Sequence, residues 1–179
     1  MITLKQRLKR KTESAEPTSS RVSIRDRLLV KEAQEMSKLL PACCSIDYLN
    51  VNDLSKFILI VKPTEGYWEG GTFRFEINVT DEYNMEPPIV KCITKLWHPN
   101  ITESGEVCLS LFRRHSVEDG MGWSPIRTLI DVVWGLNALF TDLLNFEDPL
   151  NVEAAEMYRN SKEEFKIKVM EYVTNYAQK

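Results

Sequence analysis

The sequence predicts an α+β domain: an N-terminal helix, a four-stranded antiparallel meander, a long irregular loop, a central buried helix and two C-terminal helices. Three observations carry this. Segments alternating apolar and polar residues are gathered between residues 44 and 93, while helical periods occur only before and after them. That order argues against a wound parallel sheet, in which strands and helices take turns. Capping-box spacings at Ser23 to Asp26 and Thr128 to Asp131 then fix where two of the helices begin.

Taken in order, residues 1–21 combine a basic start, Lys5 to Lys11, with a polar run from Thr12 to Ser20 that has too few apolar groups to be buried, so they read as a flexible basic extension. The folded domain is expected over residues 22–179. Val22, Leu29, Ala33, Met36 and Leu40 recur at helical intervals until Pro41 stops the pattern. Strand character follows at 44–50 and 56–62, and then where Phe73, Phe75, Ile77 and Val79 alternate with polar residues. Gly66, Gly70 and Gly71 break the chain before that third strand, and Pro87-Pro88 precedes a short fourth at 89–93. Residues 94–127 show no period and hold several glycines and prolines, the mark of a long ordered loop of the kind that often carries function. The helix opened at Thr128 is apolar nearly all round, through Val132, Val133, Trp134, Leu136, Leu139, Phe140, Leu143 and Leu144, and should lie at the centre. Asn151 and Ser161 open the last two helices, the second with a stripe of Phe165, Val169, Tyr172, Val173 and Tyr176.

At 179 residues, 43% hydrophobic and 27% charged, the chain suits one globular core of ordinary size with a tail. No apolar run approaches the roughly 18 residues of a spanning helix, and the N-terminus has no signal-peptide stretch, so no membrane role is expected. The four cysteines, at 43, 44, 92 and 108, show no C-x-x-C pairing, and with two histidines they suggest no metal site. Reduced thiols point to the cytoplasm and nucleus. Net charge is -3, yet residues 1–31 hold nine Lys or Arg against three Asp or Glu. The basic end can meet nucleic acid, an anionic membrane or an acidic protein surface, or stand as a solvated tail; the acidic remainder argues against nucleic acid.

The most informative segment is His98-Pro99-Asn100-Ile-Thr-Glu-Ser-Gly-Glu-Val-Cys108-Leu. The His-Pro-Asn triplet with a cysteine ten residues after the histidine, preceded by Gly-x-Val and followed by Leu, resembles the active-site signature of ubiquitin-conjugating enzymes. Tyr83 to Pro88, Trp123-Ser124-Pro125 and Asp148-Pro-Leu150 also fall in family order, so the likeness covers about residues 22–177. It implies the ubiquitin-conjugating fold and a transferase in which Cys108 carries a ubiquitin-like modifier as a thioester. Such exchange between thiols needs an accessible cysteine but no cofactor, since ATP is used by the partner activating enzyme. The other three cysteines read as small buried hydrophobes.

Further roles follow from the resemblance. Asn100 either donates to the carbonyl oxygen as it becomes negative or braces its loop. Asp148 matches the family's gate aspartate for the incoming lysine, with Glu147 as its neighbour and a plain turn as the alternative. His98, with Pro99, orders the active-site loop and is not the base of a Cys-His pair, and His115 offers no better partner. Met85 and the loop Trp123, Ser124 and Pro125 correspond to the surface for a RING-type ligase, or else are ordinary packing. The basic face of the first helix, Arg21, Arg25 and Lys31, corresponds to the activating-enzyme surface.

Two departures narrow the modifier. The stretch from Cys108 to Trp123 is longer than the family's minimal form, and residues 1–21 resemble the docking extension of neddylation-conjugating enzymes; together with Val132 to Phe140 and Leu143 to Phe146 they look closest to the second metazoan type. That implies a dedicated activating enzyme gripping Met1, Ile2, Leu4 and Leu8, a RING-box ligase subunit with a cullin, in particular the fifth, and a co-ligase pocket for an acetylated Met1. A ubiquitin-conjugating enzyme with an unusual tail and a silent binding module are the competing readings. Silent members lack the nucleophile that this chain keeps.

Overall fold

In a computed structural model, which describes residues 23–50, 52–113 and 122–178, the first helix, α1, spans Ile24–Leu39. Ser23 caps it, its hydroxyl accepting the Asp26 N–H at 3.0 Å. Leu29 and Met36 are buried as expected, but the residue buried between them is Glu32, while Ala33 is only half-buried. The reason is a hydrogen-bond role. The Glu32 carboxylate accepts the Tyr83 hydroxyl at 2.6 Å and the Leu129 N–H at 2.8 Å. Leu129 begins the central helix, whose first-turn N–H groups have no partner within the helix and favour a negative charge. Val22 lies outside the described residues.

Four strands form the expected meander. β1 (Cys44–Tyr48), β2 (Lys56–Val61), β3 (Phe73–Asn78) and β4 (Ile89–Cys92) pair antiparallel in the order β1-β2-β3-β4. Phe57, Leu59 and Val61 lie opposite Ile77, Phe75 and Phe73, and all six are fully buried on the inner face.

The central helix, α2, runs from Leu129 to Ala138 and opens with the expected capping box, Thr128 N–H donating to Asp131 at 2.8 Å. Leu129, Val132, Val133 and Leu136 are buried. It is shorter and more one-sided than its sequence suggests: Trp134 is 52% and Leu143 49% exposed. The Phe140 and Thr141 N–H groups turn back to the carbonyls of Asn137 and Ala138, ending the helix. This drops the Phe140 ring onto Phe73, centroids 4.6 Å apart.

Two helices follow, α3 (Val152–Asn160) and α4 (Lys162–Tyr172), capped by Asn151 and Ser161 as expected. Phe165, Val169 and Val173 are buried, but Tyr176 is 47% exposed and Ala177 takes its place. Residues Val173–Ala177 form a π turn, and its wider winding moves the core position on by one residue. No described helix is long and apolar enough to cross a membrane.

Candidate active site

Beyond β4 the chain doubles back on itself. Single bridges join His98 to Ile101, Ile101 to Val107 and Lys91 to Glu106, laying residues 98–107 against the sheet's last strand. Gly105 makes this possible. Its φ is +91°, and a Cβ there would lie 2.0 Å from the Cys92 carbonyl oxygen. Gly135 of α2 gives similar room to Leu109, the residue after Cys108: a Cβ on it would lie 2.8 Å from the leucine side chain.

His98 is fully buried and uses both ring nitrogens. Nδ1 accepts the Asn100 N–H at 2.9 Å, which leaves Nε2 to donate to the Leu139 carbonyl at 2.8 Å. Burial pushes its pKa down to about 4. The ring is therefore neutral, and neither nitrogen is left to take a proton from a thiol. It joins the active-site loop to the end of α2, with Trp68 packed 4.6 Å away. Pro99 is buried beside it, and its carbonyl accepts the Asn151 N–H at 2.9 Å, which anchors the start of α3.

Asn100, 1% exposed, is engaged at both ends of its amide. Nδ2 donates to the Asn145 carbonyl at 2.7 Å, and Oδ1 accepts the Asn145 N–H at 3.0 Å. Its own carbonyl accepts the Cys108 N–H at 2.9 Å. Asn145 passes the constraint on, its side-chain oxygen accepting the N–H groups of Glu147 at 2.9 Å and Asp148 at 3.2 Å. One chain of contacts thus runs from the backbone of Cys108 through Asn100 and Asn145 to Asp148.

Cys108 is half-buried and lines an open cleft with Asn100, Leu109, Arg113, Asp142, Leu143 and Asn145. Two of the other thiols are less open to reaction: Cys44 and Cys92 are buried, and desolvation pushes both pKa values up to about 12. Cys43, expected to be buried, is half-buried like Cys108, because its thiol reaches the Asn137 side-chain oxygen at 3.1 Å. The Arg113 guanidinium reaches over Cys108, with Nη2 3.8 Å from Sγ and 3.3 Å from an Asp148 carboxylate oxygen. Its positive form is favoured, first by contact with Cys108 and then by Asp148.

Away from the cleft, Met85 stands 71% exposed beside the start of α1, with Ile24 at the same groove. Trp123 is 7% exposed, and its ring N–H donates to the Asn84 carbonyl at 2.8 Å, so it braces the Met85 loop and presents no free face. Ser124 is half-buried and Pro125 exposed, with Ile126 beside it 89% exposed. Arg25 is already paired with Asp26 and Asp81, whereas Lys31 lies on the surface 3.7 Å from Glu35. Met1, Ile2, Leu4, Leu8, Arg21 and His115 lie outside the described residues.

The family model for ubiquitin-conjugating enzymes matches residues 28–173. The chain belongs to the ubiquitin-conjugating enzyme family. It is 56% identical over 185 residues to the NEDD8-conjugating enzyme UBE2F of Rattus norvegicus, covering 99% of this chain and all of that one. It is 42% identical over 181 residues to the NEDD8-conjugating enzyme ubc-12 of Caenorhabditis elegans, again over 99% of this chain and all of the relative. Among solved structures, S. cerevisiae Ubc12 superposes with a TM-score of 0.74 at 34% identity, covering 94% of this chain and 90% of the other. The fold expected from sequence is therefore that of the family, and the chain is a conjugating transferase.

Two residues of this conjugating enzyme's cleft escape a reading of its sequence. Asn145 has a faint local signal, since an asparagine whose side chain bonds backbone two and three residues on makes an Asx turn. Arg113 has none. It reaches Cys108 because a short 3₁₀ turn, Ser110–Phe112, brings the chain back towards the sulfur.

Proposed function

We propose that this enzyme accepts the modifier NEDD8 from its activating enzyme as a thioester on Cys108 and passes it to a lysine of a cullin, with a RING-type ligase presenting the target. The observation that carries the modifier is the reach of the likeness. The family model spans residues 28–173, which conjugating enzymes for different modifiers share, but the relatives named as NEDD8-conjugating align over 99% of the chain. The basic extension that would dock the activating enzyme is part of that match.

Cys108 is the nucleophile in this reading, supported by its half-exposed place in the cleft and by the raised pKa values of buried Cys44 and Cys92. Asp148 would hold the ammonium of an arriving lysine and help it shed a proton, a reading supported by its 77% exposure beside Arg113. Met85, Pro125 and Ile126 offer the ligase an apolar surface at one end of α1. No metal or cofactor takes part in either step, because ATP is consumed by the activating enzyme. A fifth cullin with its RING-box subunit, a co-ligase binding an acetylated Met1, and work in cytoplasm and nucleus complete the proposal.

The experiment offers the purified protein NEDD8 or ubiquitin, each with its own activating enzyme and ATP, and follows reductant-sensitive adducts on gels. Charging with NEDD8 is expected. Charging with ubiquitin alone overturns the choice of modifier in favour of a ubiquitin-conjugating enzyme, and no charging with either supports a silent binding module.

A further inference from the structure

Two of the polar side chains nearest Cys108 are committed elsewhere, while Ser110 and Asp142 of the same cleft are exposed. His98 has spent both nitrogens on backbone, and Asn100 has spent both ends of its amide on Asn145. Among the described residues, the side-chain donor in contact with the sulfur is the Arg113 guanidinium, 3.8 Å from Sγ. Its backbone is held at both sides: the Arg113 N–H donates to the Ser110 carbonyl at 3.0 Å, and its carbonyl accepts the N–H of buried Trp123 at 2.9 Å. The side chain therefore starts from a backbone that is fixed on both sides.

We propose that Arg113 is a catalytic residue of the thioester chemistry, supplying the positive charge that meets the Cys108 sulfur and the modifier's carbonyl oxygen as each becomes negative. The proposal rests on the reading of Cys108 as the thioester site. In loading, the Cys108 sulfur attacks the carbonyl carbon of the incoming thioester. The new C–S bond forms, the old one breaks, and the departing sulfur gains the proton that Cys108 loses. In transfer, a lysine nitrogen attacks the same carbon. A C–N bond forms, the C–S pair of electrons returns to Cys108, and the amine's proton passes through Asp148 or water to solvent. In both steps the carbonyl oxygen carries negative charge first and a sulfur carries it last. That oxygen sits two bonds from Sγ, within the sweep of a guanidinium already touching the sulfur.

The same nitrogen also contacts Asp148, 3.3 Å away, so the cation keeps this carboxylate beside the sulfur it would otherwise repel. A flat fork with five N–H groups can serve two acceptors at once, which the point charge of a lysine does less well.

The test compares alkylation of Cys108 by anionic iodoacetate and neutral iodoacetamide, followed by intact mass, with Cys108→Ala as the blank for other thiols. A lone unit charge about 4 Å from the sulfur, fully solvated, would favour the anionic reagent by about fivefold, and the Asp148 carboxylate paired with Arg113 holds the wild type below that figure. Arg113→Gln is expected to lose that preference, Arg113→Lys to keep most of it, and Asp148→Asn to increase it. Single-turnover discharge of the charged enzyme onto free lysine should slow about tenfold in Arg113→Gln, below the hundredfold or more seen for dry, buried donors because Arg113 is exposed. The loss should fall on the limiting rate and leave the half-saturating lysine concentration in place. An unchanged reagent preference in Arg113→Gln, or discharge equal to wild type, overturns the role of Arg113. Wild-type protein that forms no reductant-sensitive adduct overturns instead the thioester reading on which it rests.

Discussion

Replacing Asn100 by alanine separates its two possible roles. The side chain makes two hydrogen bonds to the Asn145 backbone, at 2.7 and 3.0 Å, from a position 1% exposed. At about 1 kcal/mol for each bond, Asn100→Ala should cost about 2 kcal/mol. Asn145 itself is exposed, so water can replace part of what is lost, and the cost stays near that figure. With a urea slope near 2 kcal/mol per molar, the unfolding midpoint should fall by about 1 M. Asn100→Asp keeps the acceptor for the Asn145 N–H but sets a carboxylate oxygen against the Asn145 carbonyl in a site 1% exposed, so it should cost at least as much as Asn100→Ala. Hydrogen exchange supplies the local readout. The Glu147 and Asp148 amides, held by the Asn145 side chain, should exchange faster in Asn100→Ala, and lysine discharge should slow with them. An unchanged urea midpoint and unchanged exchange, with discharge still slowed, would refute the bracing argument and leave Asn100 as a donor to the oxyanion.

Other outcomes follow from single contacts. His98 is neutral in the fold with its pKa down at about 4, whereas an unfolded histidine titrates near 6.5, so the unfolded chain binds the extra proton as pH falls between them. Stability should therefore be complete above about pH 6.5 and decline below it, by about 2 kcal/mol at pH 5, with the loss levelling off below pH 4; urea titrations that are flat across this window contradict a buried neutral ring. Glu32 acts in the opposite sense, because desolvation raises its pKa, so its proton favours the fold at low pH and that benefit is lost as pH rises through the raised value. Glu32→Leu removes the acceptor for the Tyr83 hydroxyl and the Leu129 N–H and should cost roughly 2–4 kcal/mol by urea unfolding, while Glu32→Gln, which keeps an acceptor, should cost far less. Gly105→Ala places a Cβ 2.0 Å from the Cys92 carbonyl, and soluble, fully folded protein from this variant would contradict the close approach of the active-site loop to β4. Asp148→Ala should leave charging intact and slow transfer to lysine, and equal slowing of both steps would contradict its place at the lysine.

How much of this was legible in the sequence depended on the range of the interaction. Strand alternation and helix caps are local, so β1 to β4 and the caps at Ser23, Thr128, Asn151 and Ser161 stand where their residue types put them. The errors came from partners distant in the chain. Glu32 is buried because Leu129 and Tyr83 need an acceptor, which no window around residue 32 reveals. Trp134 reads as core in an apolar helix, but with Leu129, Val132, Val133 and Leu136 on the inner side it is left facing out. In the cleft, family order points to Cys108, Asn100 and Asp148, whereas Arg113 reaches Cys108 through a short irregular turn with no sequence signature and Asn145 meets Asn100 from 45 residues away.

The central claim is that the modifier rides on Cys108, and intact mass of the protein after charging with activating enzyme, NEDD8 and ATP tests it most directly. One modifier should add to the wild type and leave on treatment with a thiol reductant. Cys108→Ser should give an adduct that resists the reductant, an oxygen ester in place of a thioester, and Cys108→Ala should give none. A reductant-sensitive adduct that persists in Cys108→Ala would contradict the account, because it would put the modifier on another cysteine.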